Sequence, residues 1–210
     1  VRARYESDLA FRIAGKIVER RVDVGAVVKP GQLLARLDPS DAGLNAEAAR
    51  AQLAAAQNEF VFAKAEMERY RDLVAKNFVS RSVLEAKETS FKSAAARVEQ
   101  ARAQATVAGN QAGYTSLVAD QAGVITAVAA EVGQVVKDSA VVMKLARDGE
   151  REVLIAVPES RIAVLRKAGK VEVRLWTEPD VALAGRVREI APSADTATRT
   201  YAVRVSIVDA

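Results

Sequence analysis

Histidine and cysteine are both missing from this 210-residue chain. That removes imidazole acid–base chemistry, thiol nucleophiles and the usual zinc ligand sets. Two scattered methionines do not make a soft-metal cluster either. What remains is the chemistry of contact. Arg69 and Leu73 stand four residues apart, one turn along one helix face, and Ser80 follows a break in the helical pattern. An arginine fork binds carboxylates or backbone carbonyls, a leucine fills an apolar notch, and a hydroxyl bonds across a seam. The same residues also have plain structural uses: a solvated charge, packing of a last helical turn, and a cap for the next helix. Other conspicuous side chains read as structural. Met67 and Tyr70 pack a helical seam, Met143 is core, Trp176 is core or a strand-end anchor, and Asp195 with Arg199 shapes a loop.

The element that must carry these three residues runs from Asp38 to about Ser116. It has no proline after Pro39 and no glycine between Gly43 and Gly109. Leu53, Ala56, Phe60, Ala63, Met67, Tyr70 and Val74 recur at steps of three and four, the seam of a coiled coil. The pattern breaks at Lys76-Asn77-Phe78-Val79-Ser80, then resumes with Leu84, Phe91, Ala94, Val98, Ala101, Ala105 and Ala108. Two helices with so short a break lie antiparallel, as a rod of about 50 Å. Asp38 is the expected cap of the first helix with Pro39 at its first position, and Ser82 with Glu85 spells a capping box for the second.

The flanks of the rod are β-like and repeat each other. Gly15, Ile17, Val24, Gly25, Val27, Val28, Lys29 and Leu37 recur at one constant offset of 108 as Gly123, Ile125, Val132, Gly133, Val135, Val136, Lys137 and Leu145. Two half-units of one β domain therefore flank the rod. After Arg147-Asp148-Gly149 come further alternating runs at 153–157, 171–175, 187–190 and 201–207. Between the first two, Pro158–Lys167 reads as a short helix carrying Ile162 and Leu165, stopped at Gly169. A small barrel is expected, closed by the weakly alternating strand Val1–Ala10 to hide its edges. The fold class is thus mixed α and β, elongated and multidomain. The β-barrel takes 1–10 with 147–210, the split β-sandwich 11–38 with 117–146, and the helical hairpin 39–116.

The net charge of +4 comes from interspersed acids and bases. No basic stripe with aromatics is present, so nucleic acid is not an expected partner. No run of 18 apolar residues occurs.

The split repeat, with Asp23-Val24-Gly25 and Glu131-Val132-Gly133, resembles the halves of a biotinyl/lipoyl domain. Such carriers place a modified lysine at the hairpin joining the halves. Here that junction reads Leu37-Asp38-Pro39-Ser40, and Lys144 beside Met143 falls at the end of the second half. A lipoyl-like unit split by a coiled-coil hairpin and followed by a β-barrel is similar to the periplasmic adaptors, or membrane fusion proteins, of tripartite efflux pumps. The segments Tyr114–Ala119 and Val187–Thr200 resemble adaptors of resistance-nodulation-division pumps. These adaptors share an Arg, a Leu four later and a Ser seven after that, and Arg69, Leu73 and Ser80 match. The resemblance implies that these three contact an outer-membrane channel, and that the barrel lies towards an inner-membrane pump. It also implies self-association into a ring, a periplasmic site attached to the inner membrane, no cofactor and no enzymatic activity. A membrane-proximal part built from both chain ends would lie outside this sequence, which is expected to be trimmed at both ends. The competing readings are an adaptor of an ATP-driven or metal exporter, and a biotinyl/lipoyl carrier of an enzyme complex.

Overall fold

In chain order the elements are β1 (Arg2–Ala3), β2 (Glu6–Ala10), β3 (Gly15–Arg20), β4 (Val27–Val28), β5 (Leu33–Leu37), α1 (Ser40–Ala75), α2 (Arg81–Gly113), β6 (Ser116–Val118) and β7 (Gly123–Val128). They continue as β8 (Val135–Val136), β9 (Val141–Arg147), β10 (Arg151–Pro158), α3 (Glu159–Lys167), β11 (Val171–Leu175), β12 (Glu178–Ile190) and β13 (Thr200–Ile207). The computed structural model describes residues 1–168, 171–176 and 178–207. The expected helix stop at Gly169 lies outside them.

The rod forms as its seam dictates. Ala63, Met67, Ala94, Val98 and Ala101 are buried, and the other seam residues are half-buried. The rings of Phe60 and Phe91 meet across it at 5.2 Å. At its base, the Ser40 amide and hydroxyl both donate to Asp38 Oδ1, at 3.0 and 2.6 Å. These bonds hold the Asp38 carboxyl below its usual range. Asp38 thus ties down the first amide of α1, but the helix begins one residue later than expected, with Pro39 at the cap position and Ser40 as its first residue. The capping box at Ser82 does not form. The Val83 amide already donates to the Ser80 carbonyl at 3.2 Å, so α2 begins at Arg81. Ser82 is drawn into the first turn, and its hydroxyl meets that of Ser80 at 2.9 Å.

The base of the rod is held by a sandwich of two four-stranded sheets, ordered β2-β9-β7-β4 and β6-β5-β3-β8. The sequence repeat is a structural pseudo-symmetry. Gly15 pairs with Val136, and its counterpart Gly123 pairs with Val28. Each half therefore lends its shortest strand to the other sheet. The Gly25 amide donates to the Ile125 carbonyl, and the Gly133 amide to the Ile17 carbonyl, both at 2.8 Å. Gly25 and Gly133 turn with φ of 88° and 91°, where side chains are disfavoured. One buried core of residues such as Phe11, Ile17, Leu34, Leu37, Ile125 and Leu145 serves both halves. Neither half can hide these side chains alone.

The N-terminal strand departs from expectation. Only Arg2–Ala3 joins the barrel sheet; Glu6–Ala10 pairs with β9 in the sandwich. The reason is burial: Leu9 and Phe11 belong to the sandwich core. Leu9 pairs with Met143 as Leu117 pairs with Ala35, which extends the offset of 108 upstream.

Gly123 is the tightest point of this unit. A β-carbon built there would sit 2.1 Å from the backbone oxygen of Ala146. Gly123→Ala should destabilise the sandwich by roughly 2–3 kcal/mol. Loss of amide-exchange protection in β7 and β9 would register it, with α1 and α2 retained in the far-ultraviolet spectrum.

The third unit is an antiparallel sheet ordered β1-β10-β13-β12-β11, with α3 packed against β10 and β13. Ile162 of α3 is buried with Val203 and Val205. Closure by the first strand is not seen: among the described residues β1 pairs with β10 but not with β11. With two residues in β1, the strand is too short to span both edges. Trp176, expected as core or anchor, is fully exposed at 102%. It stands in the turn between β11 and β12, past the last residues that reach the core.

Candidate docking site at the hairpin tip

Where α1 ends, the chain must reverse within five residues. The Phe78 amide donates to the Leu73 carbonyl and the Asn77 amide to the Val74 carbonyl, both at 2.9 Å. Asn77 takes φ of 59°. This pair of bonds is a Schellman motif with asparagine in the left-handed position. Asparagine tolerates that conformation better than other non-glycine residues.

The tip is also locked across the seam. Glu66 accepts from Lys87 at 3.0 Å and pairs with Arg69 at 3.1 Å. The Lys87 ammonium lies 4.9 Å from the centre of the Tyr70 ring. Glu66 is only half-buried, so these pairs fix geometry more than they add stability.

The three residues singled out by sequence all lie in this region, but differently presented. The Arg69 side chain is 66% exposed on the last turns of α1, with Glu66 beside it. Leu73 is half-buried and its carbonyl anchors the turn. Ser80 is exposed in extended backbone at the start of α2, its hydroxyl bonded to Ser82. Two further residues matter that the sequence reading passed over. Asn77 sets the turn, and Phe78 is left 72% exposed at the apex. In this motif the apolar residue after the left-handed position often packs back onto the helix. The signal for Asn77 was readable: asparagine just after a helical pattern is a stop signal.

Asn77→Val should cost about 1–2 kcal/mol locally, because a β-branched residue is strained at positive φ. Faster amide exchange confined to residues 76–80 would verify this, and Asn77→Gly should leave that exchange unchanged.

The arrangement offers a guanidinium, a leucine edge, an exposed phenyl ring and a hydroxyl on a rigid turn. That set suits protein docking. Lys144 is not arranged as a carrier lysine. It lies within β9, paired with Ala127 in the ladder and with Asp8 at 3.6 Å. Among the described residues, no group of three acidic side chains is gathered for a metal ion. No described helix is long and apolar enough to cross a membrane.

Comparison with known proteins bears on the whole arrangement. Residues 45–115 match the family model described as "RND MFP, alpha-helical hairpin domain". Residues 153–210 match "CusB-like, beta-barrel domain". The chain is 30% identical over 203 residues to nodulation protein NolF of Rhizobium meliloti, covering 96% of this chain and 55% of that protein. It is 28% identical over 171 residues to multidrug resistance protein MdtA of Klebsiella pneumoniae, covering 79% of this chain and 42% of that one. The chain therefore spans about half the length of these relatives. The fold matches the membrane fusion protein Spr0693 of Streptococcus pneumoniae R6 with a TM-score of 0.74 and 20% identity, covering 100% of this chain and 91% of that one.

Proposed function

Since the chain belongs to the membrane fusion proteins, the periplasmic adaptors of efflux systems, we propose that it bridges an inner-membrane pump of the resistance-nodulation-division type to an outer-membrane channel. The cargo is drugs or other small toxic molecules. The barrel faces the pump, and the hairpin tip with Arg69, Leu73 and Ser80 meets the channel. Several copies form a ring that encloses the conduit, held in the periplasm at the inner membrane. The adaptor itself performs no chemical step.

One observation carries this reading. A rod of 36- and 33-residue helices is held at its base by both halves of one sandwich and ends in a rigid turn that exposes contact chemistry. A rod of about 50 Å built this way transmits position, which is what a bridge requires.

Crosslinked co-purification of the full-length protein from its native membranes tests it. The expected companions are a resistance-nodulation-division pump and an outer-membrane channel. An ATP-driven exporter instead would overturn the pump type, and a carboxylase or dehydrogenase complex would overturn the adaptor role.

A further inference from the structure

A cleft of about 620 Å³, within the size range of small-molecule sites, lies where the barrel meets its two links to the sandwich. Arg4 and Glu150 come from those links, and Arg186, Arg188 and Ser206 from β12 and β13. Val187 and Ile207 give it an apolar wall. In a regular strand Val187 would point away from Arg186 and Arg188. Here the β12–β13 register shifts between Val187 and Glu189, a bulge at Arg188, and all three residues line the same cleft.

The carboxylates nearby do not balance these cations. Among the described residues, Glu150 is the one acid lining the cleft; it pairs with Arg4 and is 60% exposed. Arg188 is held by the buried Glu152 at 2.8 Å and by Glu189 at 3.7 Å. Glu152 is shared in turn with Arg2. Arg186 stands opposite Ser206 in the ladder and pairs with no carboxylate among the described residues. The Arg4 Nε is buried and has no acceptor there either. A buried donor without an acceptor is uncommon in a finished structure. The Arg4 and Arg188 side chains are only 24% and 30% exposed, so water and salt screen their charges less than on an open surface.

We propose that this cleft binds an organic acid. The carboxylate of the ligand is held by the Arg4 and Arg186 guanidinium groups and the Ser206 hydroxyl, and its apolar body lies along Val187 and Ile207. Arginine forks suit an oxyanion, and charge-assisted hydrogen bonds are the strong ones. An inorganic anion would leave the apolar wall unused. A neutral apolar molecule would cover the guanidinium groups without giving them acceptors. Because Arg4 belongs to a link and Arg186 to the barrel, the bound acid also braces the joint between the two. Binding requires neither pump nor channel, so the proposal goes beyond the bridging role and does not depend on it.

The test uses 4-benzoylbenzoate, an apolar carboxylate that attaches to nearby C–H bonds on illumination, with the full-length protein in membranes. The expected result is saturable labelling of the peptides holding Val187 or Ile207, displaced by decanoate but not by its methyl ester. Arg186→Gln weakens the labelling about tenfold, the loss of one charge-assisted contact. Arg174→Gln removes the same charge from an exposed site on β11 and leaves the labelling unchanged. Arg186 is itself exposed, so its replacement spares the barrel core, and circular dichroism checks this. Equal displacement by the methyl ester would make the cleft a plain apolar patch and overturn the proposal. Equal displacement by inorganic phosphate would remove the apolar half of the site and overturn it too. Labelling that appears only once the membrane lipid is exchanged for an uncharged detergent would assign the cleft to a lipid headgroup and overturn the free acid. Labelling unchanged in Arg186→Gln, or absent from these peptides in both settings, would overturn the site itself.

Discussion

Replacing Arg69 by Asp and Leu73 by Ser is expected to abolish the efflux proposed for the full-length protein, read as drug resistance in cells, while leaving its helical signal unchanged. Arg69 is exposed, and its intrahelical pair with Glu66 is worth little to stability. Reversing its charge thus acts on what the tip touches. Leu73 is half-buried, so its replacement removes apolar contact at the last turn of α1 without opening a core cavity. Interface anchors of this kind contribute about 2 kcal/mol or more each, and roughly 30-fold in affinity follows from each loss. Phe78→Ser should act in the same direction, since the ring is already in solvent and its removal leaves the turn's backbone bonds intact. Resistance assays beside circular dichroism of the purified variants read both halves of this expectation. Unimpaired resistance in the double variant would remove the tip from the docking role.

The second large effect concerns the barrel. Glu152 is 1% exposed, yet carries a charge. It accepts from Arg2 Nη2 at 2.7 Å and from Arg188 Nη2 at 2.8 Å, tying β1 and β12 to β10. Burial pushes its carboxyl up, but the hydrogen bonds from Arg2 and Arg188 outweigh this and leave it below the ordinary glutamate range. A depressed carboxylate stabilises the fold above the unfolded-state value, and that stability is lost as pH falls through the folded value. The barrel should therefore weaken on acidification below about pH 4. Changing Arg2 and Arg188 together to Met strands the carboxylate. The expected cost is about 3–5 kcal/mol at neutral pH. The sign of the pH dependence should also reverse, because a buried carboxyl without partners binds its proton more tightly folded than unfolded. Amide exchange at Val203 and Val205, in the barrel core, measures both effects. Unchanged protection in the double variant would reduce the cluster to a surface ornament.

The rod and the split sandwich were legible because each obeys a strong period. The seam from Leu53 to Val74 leaves only one face to bury, and a repeat with one constant offset leaves only one pairing of halves. The division of the N-terminal strand was less legible. Glu6–Ala10 has two neighbours it could join, and only the burial of Leu9 and Phe11 chooses between them. Extending the repeat upstream to Leu9 and Leu117 would have found it. Trp176 misled because an aromatic residue at the end of a β run suggests core, whereas its position in a turn decides its exposure. At the tip, Arg69, Leu73 and Ser80 came from spacing shared with a family. The exposure of Phe78 depends on the Asn77 turn, and no periodicity encodes that.

The most direct test of the bridge is a photo-crosslinking amino acid placed at Phe78 of the full-length protein, activated in living cells. The expected adduct joins the tip to an outer-membrane channel, and a probe at Ala54, exposed on α1 well below the tip, gives no such adduct. Adducts from position 78 to the inner-membrane pump, or only to other copies of the same chain, would contradict the docking of this tip on a channel.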